Sequence, residues 1–145
     1  MSITTLAKMK PILSITFFLT LFFSCTQPEG FKEPEDSIDA GREFVRAVLD
    51  GDYEKANLYI LENDEDKSLF ERYKTYTKKQ PRQEKLQLKS ASIIINKVEK
   101  LNDSTSIINF SNSYSMKPMD LKVILSNKKW RVDFSYTFAE NTSIK

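Results

Sequence analysis

The chain has 145 residues, of which 29% are charged and 40% hydrophobic, and its 22 basic and 20 acidic residues give a formal charge of +2. This length suits one domain with its own core, and the weak net charge excludes the strongly basic surface that is typical of nucleic-acid-binding proteins. The chain has no histidine and one cysteine, which excludes a cysteine–histidine metal site, an intramolecular disulfide and the commonest general base. We therefore expect neither a cofactor nor a nucleic-acid partner.

The first 25 residues have the layout of a secretory signal. Lys8 and Lys10 precede the apolar run Ile12–Phe23, which is shorter than the about 20 residues that a membrane-spanning helix needs. A positive start, a short apolar segment and a small residue at its boundary are typical of a signal peptide. The layout resembles a bacterial lipoprotein signal, in which cleavage between Ser24 and Cys25 leaves the cysteine as the lipidated N-terminus. A plain cleaved signal and an uncleaved membrane anchor are the alternatives.

The resemblance to a lipoprotein signal, in the loose form familiar in Bacteroidetes-type bacteria, implies a location and a membrane partner. A lipid on Cys25 would hold the protein at the cell envelope, on the periplasmic face of the outer membrane or, alternatively, at the cell surface. Removal of residues 1–24 takes away two lysines and no acid, so basic and acidic residues balance at 20 each. Residues 25–35 contain two prolines and a glycine, and this composition predicts a tether between the lipid and the domain.

From residue 36 the chain divides into a helical half and a strand half. Asp36 or Ser37 is a suitable N-cap for a first helix, and Gly51 is a suitable C-terminal stop. Asp52 is expected to cap a second helix, Tyr53–Leu61. Apolar residues at three-to-four spacing predict the buried faces of these helices: Ile38, Gly41, Phe44, Val45, Val48, Leu49, Ala56, Tyr59 and Ile60.

A third helix is expected to have a solvated start at Glu62–Asp66 and to end before Pro81. Its aromatic stripe, which we interpret as core, comprises Leu69, Phe70, Tyr73 and Tyr76. After Pro81 the apolar residues alternate, which is typical of strands, at Ala91, Ile93, Ile95, Ile108, Phe110, Leu121, Val123 and Leu125, and Ser106 falls on the same face as Ile108 and Phe110. Asn102-Asp103 and Asn127-Lys128 mark tight turns. The last strand is expected to run from Trp130 to Phe138.

Together these elements predict an α+β fold class, with N-terminal helices packed on a curved antiparallel sheet of four strands. The segments Gly51–Ala56, Leu101–Thr105 and Lys129–Phe134 resemble the nuclear transport factor two-like superfamily, and more narrowly its uncharacterised branch in small bacterial lipoproteins. The resemblance implies a cone-shaped domain over residues 36–138, followed by a tail at 139–145. It also implies a cavity at the wide end of the cone and a tendency to dimerise.

Members of this superfamily include isomerases, dehydratases and binding domains. An enzyme of that kind would need an acid as its base here, because the chain has no histidine. Alternation places Asp133 on the exposed face, and Asp120 lies at a strand edge, so no acid is predicted inside the cone. The tyrosines that are candidates for its interior are Tyr59, Tyr73 and Tyr136.

We therefore predict a non-catalytic envelope domain whose partner is an apolar or amphipathic small ligand, a second copy of the chain or another envelope protein. The alternative is a small isomerase-like or hydrolytic enzyme. The candidate cavity-lining residues, which alternatively just fill the interior, are Ile93, Phe110, Trp130, Phe134 and Tyr136. A basic stretch is interpreted as a solvated loop, with phosphate-bearing envelope glycans as an alternative partner, and comprises Lys78, Lys79, Arg82, Lys85 and Lys89.

Overall fold

The computed structural model describes residues 31–142. The predicted signal, Cys25, most of the tether and the last three residues of the predicted tail lie outside this range. The described elements are α1 (Ser37–Asp50), α2 (Tyr53–Asn57), α3 (Asp64–Lys78), α4 (Arg82–Ser90), β1 (Ile93–Asn102), β2 (Thr105–Asn112), β3 (Met119–Ser126), β4 (Lys129–Asp133) and α5 (Phe134–Thr142). The strands form one open antiparallel sheet in the order β1-β2-β3-β4. The α+β class is thus confirmed.

Both ends of α1 follow the predicted capping residues. The Asp36 carboxylate accepts the backbone N–H of Asp39 at 2.8 Å, which satisfies a donor that the first turn leaves free. At the other end Gly51 has a φ of 76°, a left-handed conformation that glycine adopts without steric cost. The helix therefore starts and stops where the local sequence directs.

The second helix is shorter than predicted, because its C-terminal half pairs with the sheet. It starts after Asp52, whose carboxylate accepts the Lys55 N–H at 3.0 Å, but it ends at Asn57 rather than Leu61. The Val132 N–H donates to the Tyr59 carbonyl at 2.7 Å, and the Leu61 N–H donates to the Val132 carbonyl at 3.0 Å. These bonds to β4 replace the helical bonds that residues 59–61 would otherwise make.

The central strands pack one face against α1, as their alternation predicts. The side chains that β2 and β3 bury against it are Ser106, Ile108, Phe110, Leu121 and Val123. Contact is closest at Gly41 of α1, where an added Cβ would lie 2.8 Å from Ile108 Cδ1. The predicted turn at Asn127-Lys128 is confirmed, since both residues have positive φ, 51° and 63°, as a two-residue hairpin of the I′ type requires.

The prediction that the last strand continues to Phe138 is wrong. The strand β4 stops at Asp133, and the helix α5 follows directly. The Asp133 carboxylate accepts the Tyr136 N–H and the Ser135 hydroxyl, each at 3.0 Å, and so caps the new helix. Asp66, expected in a solvated helix start, is instead only 1% exposed, and its carboxylate accepts the Ser135 N–H. Two carboxylates thus satisfy the first turn of α5.

The alternating pattern was misleading for a geometric reason. Residues four apart lie on one face of a helix as well as on one face of a strand, so Phe134 and Phe138 point the same way in either conformation. Their ring centroids are 6.1 Å apart in α5. The helix continues to Thr142, past the predicted domain end at residue 138.

The helix α4 was not predicted, and it follows Pro81 directly. None of its residues is buried, so it carries no strong hydrophobic periodicity. Its C-terminal end is held to α1 by Arg46, whose guanidinium donates to the carbonyl oxygens of Ala91 at 2.7 Å and Lys89 at 3.0 Å. The helix α4 consequently packs at the surface of the domain and contributes no fully buried residue to the core.

Candidate ligand cavity

A cavity of about 1050 Å³ opens to solvent between the helices and the sheet. Its wall is formed by the second half of α1, by α3, α4 and α5, and by β2, β3 and the connection between them. Sites for small molecules measure about 300–1,000 Å³ and are mostly apolar, with few polar groups. The cavity is therefore large enough for a small-molecule ligand.

The inner wall is aromatic and is held by ring contacts. Phe134 lies at its centre, with its ring centroid 6.2 Å from that of Phe44, 5.7 Å from that of Tyr73 and 6.1 Å from that of Phe138. Behind it the fully buried Phe70 meets Phe134 edge-on at 5.3 Å. Aromatic pairs in such tilted and edge-to-face arrangements stabilise each other beyond the area they bury, so this wall is a fixed surface.

The structure brings two of the five predicted lining residues into the wall. Phe110 and Phe134 line the cavity, because each lies on the face of its element that meets the helices. Ile93 packs against the core at the start of β1, and Trp130 pairs with Leu125 across β3 and β4. Tyr136 lies on another side of α5, where its ring centroid is 5.0 Å from the Lys122 ammonium.

Several wall residues were interpreted as core or loop in the sequence. In the stripe of α3 only Phe70 is fully buried; Tyr73 lines the cavity, and Tyr76 is 65% exposed at its mouth. Leu86 of α4, 51% exposed, lies at the same mouth. Large apolar side chains that remain exposed beside a cavity are typical of an interaction site, but their exposure cannot be read from the sequence.

Several exposed basic residues line the cavity. We define the cationic rim as the basic residues that line the cavity: Arg72, Lys78, Arg82, Lys85, Lys89 and Lys117. The interpretation of residues 78–89 as a solvated loop is corrected, because this stretch contains the end of α3 and most of α4. Asp50 is the one acidic lining residue of the cavity in the described part of the chain, and it forms an ion pair with Arg46 at 3.0 Å.

Among the tyrosines that line the cavity, Tyr73 is a neutral hydrogen-bond donor. Burial, with a smaller effect of Tyr53, raises the pKa of Tyr73 to about 12, so its hydroxyl keeps its proton near neutral pH. Burial also raises the pKa of Tyr59 to about 12, but this residue does not line the cavity: its hydroxyl donates to the Lys32 carbonyl at 3.5 Å. Tyr73 can therefore orient a polar group of a ligand without ionising.

The two acids considered for catalysis, Asp133 and Asp120, lie outside the cavity wall, and so does the buried Asp66. Asp133, expected on the exposed face, is half-buried and caps α5. Asp120 accepts the Asn109 amide at 2.6 Å, one residue away from the inward-facing Leu121. The buried Asp66 accepts the Asn63 amide at 2.7 Å in addition to the Ser135 N–H. All three carboxylates thus take part in local hydrogen bonds that stabilise the fold.

No helix within residues 31–142 is both long and apolar enough to cross a membrane. Over the same residues, no three His, Cys, Asp or Glu side chains are grouped as a metal ion would require. No known family model, curated protein or solved structure matches the chain.

Proposed function

We propose that this protein is a non-catalytic binding domain of the bacterial cell envelope that holds an apolar or amphipathic small molecule in its cavity. The observation that carries the proposal is the cavity itself, about 1050 Å³ in volume with a fixed aromatic wall and an open mouth. Support for the envelope location comes from Ser24-Cys25 and the apolar run before them. The lipid on Cys25 would keep the cavity close to a membrane.

The groups in the wall favour binding over proton transfer. A carboxylate that acts as a base near neutral pH has to be desolvated so that its pKa rises. The acid that lines the cavity, Asp50, is exposed and paired with Arg46 at 3.0 Å. Tyr73, with a pKa of about 12, exchanges protons poorly near neutral pH but donates a hydrogen bond well. Such a wall orients a ligand rather than transforming it.

We further propose that the domain belongs to the nuclear transport factor two-like superfamily. The segments Gly51–Ala56 and Lys129–Phe134 support it, together with an antiparallel meander that packs one face against helices and leaves a cavity between them. A crystal structure tests the proposal. A sheet that curls around α1 and α3 would support membership, and a sheet with only ordinary twist would contradict it.

Binding is tested with the neutral fluorescent probe N-phenylnaphthylamine and variants that fill the cavity. Val48 of α1 and Leu88 of α4 are half-buried residues of the wall. A tryptophan at either position would occupy space that the ligand needs, and Leu88 lies on a helix with no buried residue of its own. We expect saturable binding of one probe per wild-type chain and loss of binding in Val48→Trp and in Leu88→Trp.

The matched control is Ile94→Trp, which places the same side chain on β1 outside the cavity wall. It is expected to bind the probe as the wild type does, with circular dichroism showing that all variants are folded. Equal fluorescence from the wild type and both wall variants would contradict the proposed site.

A further inference from the structure

The basic residues of the cationic rim come from separate parts of the chain. Arg72 and Lys78 belong to α3; Arg82, Lys85 and Lys89 to α4; and Lys117 to the connection between β2 and β3. A helix surface that only faces water usually mixes both signs of charge. Here three segments place one sign of charge around one opening, which concentrates a positive potential there.

This positive charge is not neutralised by nearby acids. None of the six rim residues is within 4.0 Å of a carboxylate that the structure describes, whereas Lys55 pairs with Glu43 at 2.8 Å and Lys122 with Asp133 at 3.0 Å. The charge of Asp50, beside the rim, is compensated by Arg46. The Lys85 ammonium donates to the Lys78 carbonyl at 3.0 Å, which keeps a cation at the turn between α3 and α4. The rim is thus suited to an anionic group.

The surface just inside the rim has the opposite character. Tyr76 and Leu86 are large apolar side chains that stay exposed at the mouth, and the aromatic wall around Phe134 continues inward from them. Covering this apolar area would stabilise a complex through the hydrophobic effect. A ligand that satisfies both surfaces has a hydrocarbon part for the wall and an anionic head for the rim.

We propose that the cavity binds a single-chain anionic amphiphile, with its hydrocarbon chain against the aromatic wall and a carboxylate or phosphate head at the cationic rim. This inference rests on the proposed function and names the class of ligand that the site would take. The ammonium and guanidinium groups of the rim supply the hydrogen bonds and charge for the head group. Charge-assisted hydrogen bonds of this kind are the stronger ones.

The test compares ligands that share one chain and differ in the head. Dodecyl phosphate, dodecanoate and dodecyltrimethylammonium, each below its micelle concentration, and dodecanol below its solubility limit compete with N-phenylnaphthylamine on the wild-type protein. Inorganic phosphate represents the head alone. We expect the two anionic ligands to bind about tenfold more tightly than dodecanol and inorganic phosphate not to displace the probe. Added salt should weaken the anionic ligands and leave dodecanol unaffected.

A variant of the cationic rim tests whether these residues cause the preference for anionic ligands. Lys78→Gln, Arg82→Gln and Lys89→Gln in one protein remove three rim charges whose side chains make no described ion pair. This variant should lose about tenfold in affinity for dodecyl phosphate and keep its affinity for dodecanol. Lys100→Gln with Lys128→Gln, two exposed lysines outside the cavity wall, is the matched control and should bind all ligands as the wild type does.

The outcomes separate this inference from the proposed function. Equal affinities for dodecanol, the cationic ligand and the anionic ligands would overturn the inference and leave the cavity as an apolar site. In a second outcome, inorganic phosphate displaces the probe as strongly as dodecyl phosphate does. That result would show that the rim binds a free anion, and it would also overturn the inference. Failure of the probe and of every ligand to bind would overturn the proposed function as well. Because the ligand series uses the wild-type protein, these results do not depend on the stability of any variant.

Discussion

At the scale of single residues, Asp133 decides where the sheet ends. Its carboxylate accepts the Tyr136 N–H and the Ser135 hydroxyl and pairs with Lys122 at 3.0 Å. Desolvation acts to raise the pKa of Asp133, but the bonds from Tyr136, Lys122 and Ser135 outweigh it, and the pKa is lowered. A carboxyl with a lowered pKa stabilises the fold above its unfolded pKa of about 3.9, and this contribution is lost as the pH falls through the folded pKa.

The variant Asp133→Ala is expected to lower the free energy of unfolding by about 1–2 kcal/mol at neutral pH, the usual cost of losing a helix cap. The loss should shrink as the pH falls below the unfolded pKa of about 3.9 and through the lowered folded pKa, because the wild-type carboxyl then takes up a proton and gives up its ion pair. Urea denaturation at neutral and acid pH measures both values. Asp103→Ala, at the exposed β1–β2 turn, is the control and should change little. If Asp133→Ala lost the same free energy of unfolding at both pH values, the negative charge of the Asp133 carboxylate would not be what stabilises the fold.

Gly41 is the residue that lets α1 approach the sheet. A Cβ there would lie 2.8 Å from Ile108 Cδ1 and 3.1 Å from Leu121 Cδ2, both ends of flexible side chains. In Gly41→Ala this crowding opposes the gain in helix propensity of about 1 kcal/mol, so we expect a net change within about 1 kcal/mol.

The larger substitution Gly41→Leu has no space to fill and should lower the free energy of unfolding by about 3 kcal/mol. Thermal and urea denaturation of the two variants side by side measure the contrast. A leucine variant as stable as the wild type would show that α1 does not pack on β2 and β3 at this point.

At the scale of elements, α4 is attached to the rest of the domain mainly through its C-terminal end. None of its residues is buried, and the Arg46 guanidinium bonds to the carbonyl oxygens of Lys89 and Ala91. Arg46→Gln should therefore speed hydrogen exchange in α4 while the amides of β2 and β3 keep their protection. Arg42→Gln, an exposed change on the same helix, is the control. If hydrogen exchange in α4 were unchanged in Arg46→Gln, a different contact would have to hold this helix in place.

The two edges of the sheet differ in how they are protected. Residues 59–61 of the same chain bond to the outer side of β4 through Val132. The register of β1 shifts between Ile95 and Lys97, and Lys97 and Lys100 place charge along it. Irregular register and lysines both discourage pairing with another strand. Dimerisation stays a prediction, and pairing of two copies through β1 or β4 would be unfavourable.

The elements that could be predicted are those whose signals are local. Asp36, Gly51 and Asn127-Lys128 act on their own backbone neighbours, and each sets a helix end or a turn where the sequence indicates. The helix α4 buries none of its residues, so hydrophobic periodicity could not indicate it. The sequence predicts a strand where α5 lies because Phe134 and Phe138 share one face in either conformation. Asp66, one of the two carboxylates that bond the first turn of α5, lies far away in sequence on α3.

At the scale of the whole molecule, the candidate site depends on contacts between distant segments. Phe110 and Phe134 could be predicted as cavity residues, since both lie on apolar faces. The cationic rim could not be assembled from the sequence, because Lys117 is separated by the whole of β1 and β2 from the basic residues of α3 and α4. A run of basic residues can therefore be assigned to a binding site only when the fold shows that it lies beside a cavity.

The predicted lipid anchor at Cys25 can be tested by replacing one sulfur atom with oxygen. A lipid with two or more acyl chains on Cys25 would bind a membrane stably, whereas a single chain binds only marginally. We expect Cys25→Ser to move the protein from the washed membrane fraction to the soluble fraction of its native host. A serine variant that stays in the membrane would show that the apolar run Ile12–Phe23 is the anchor instead.

The central claim is that the cavity holds a small molecule, and native mass spectrometry of the protein purified gently from its own envelope tests it most directly. We predict a mass above that of the lipidated chain by one ligand, which dissociates on heating and is an anionic amphiphile by fragmentation. Val48→Trp, purified in the same way, should lack that mass. A wild-type protein with only the mass of the lipidated chain would contradict the claim and would direct the search to protein partners.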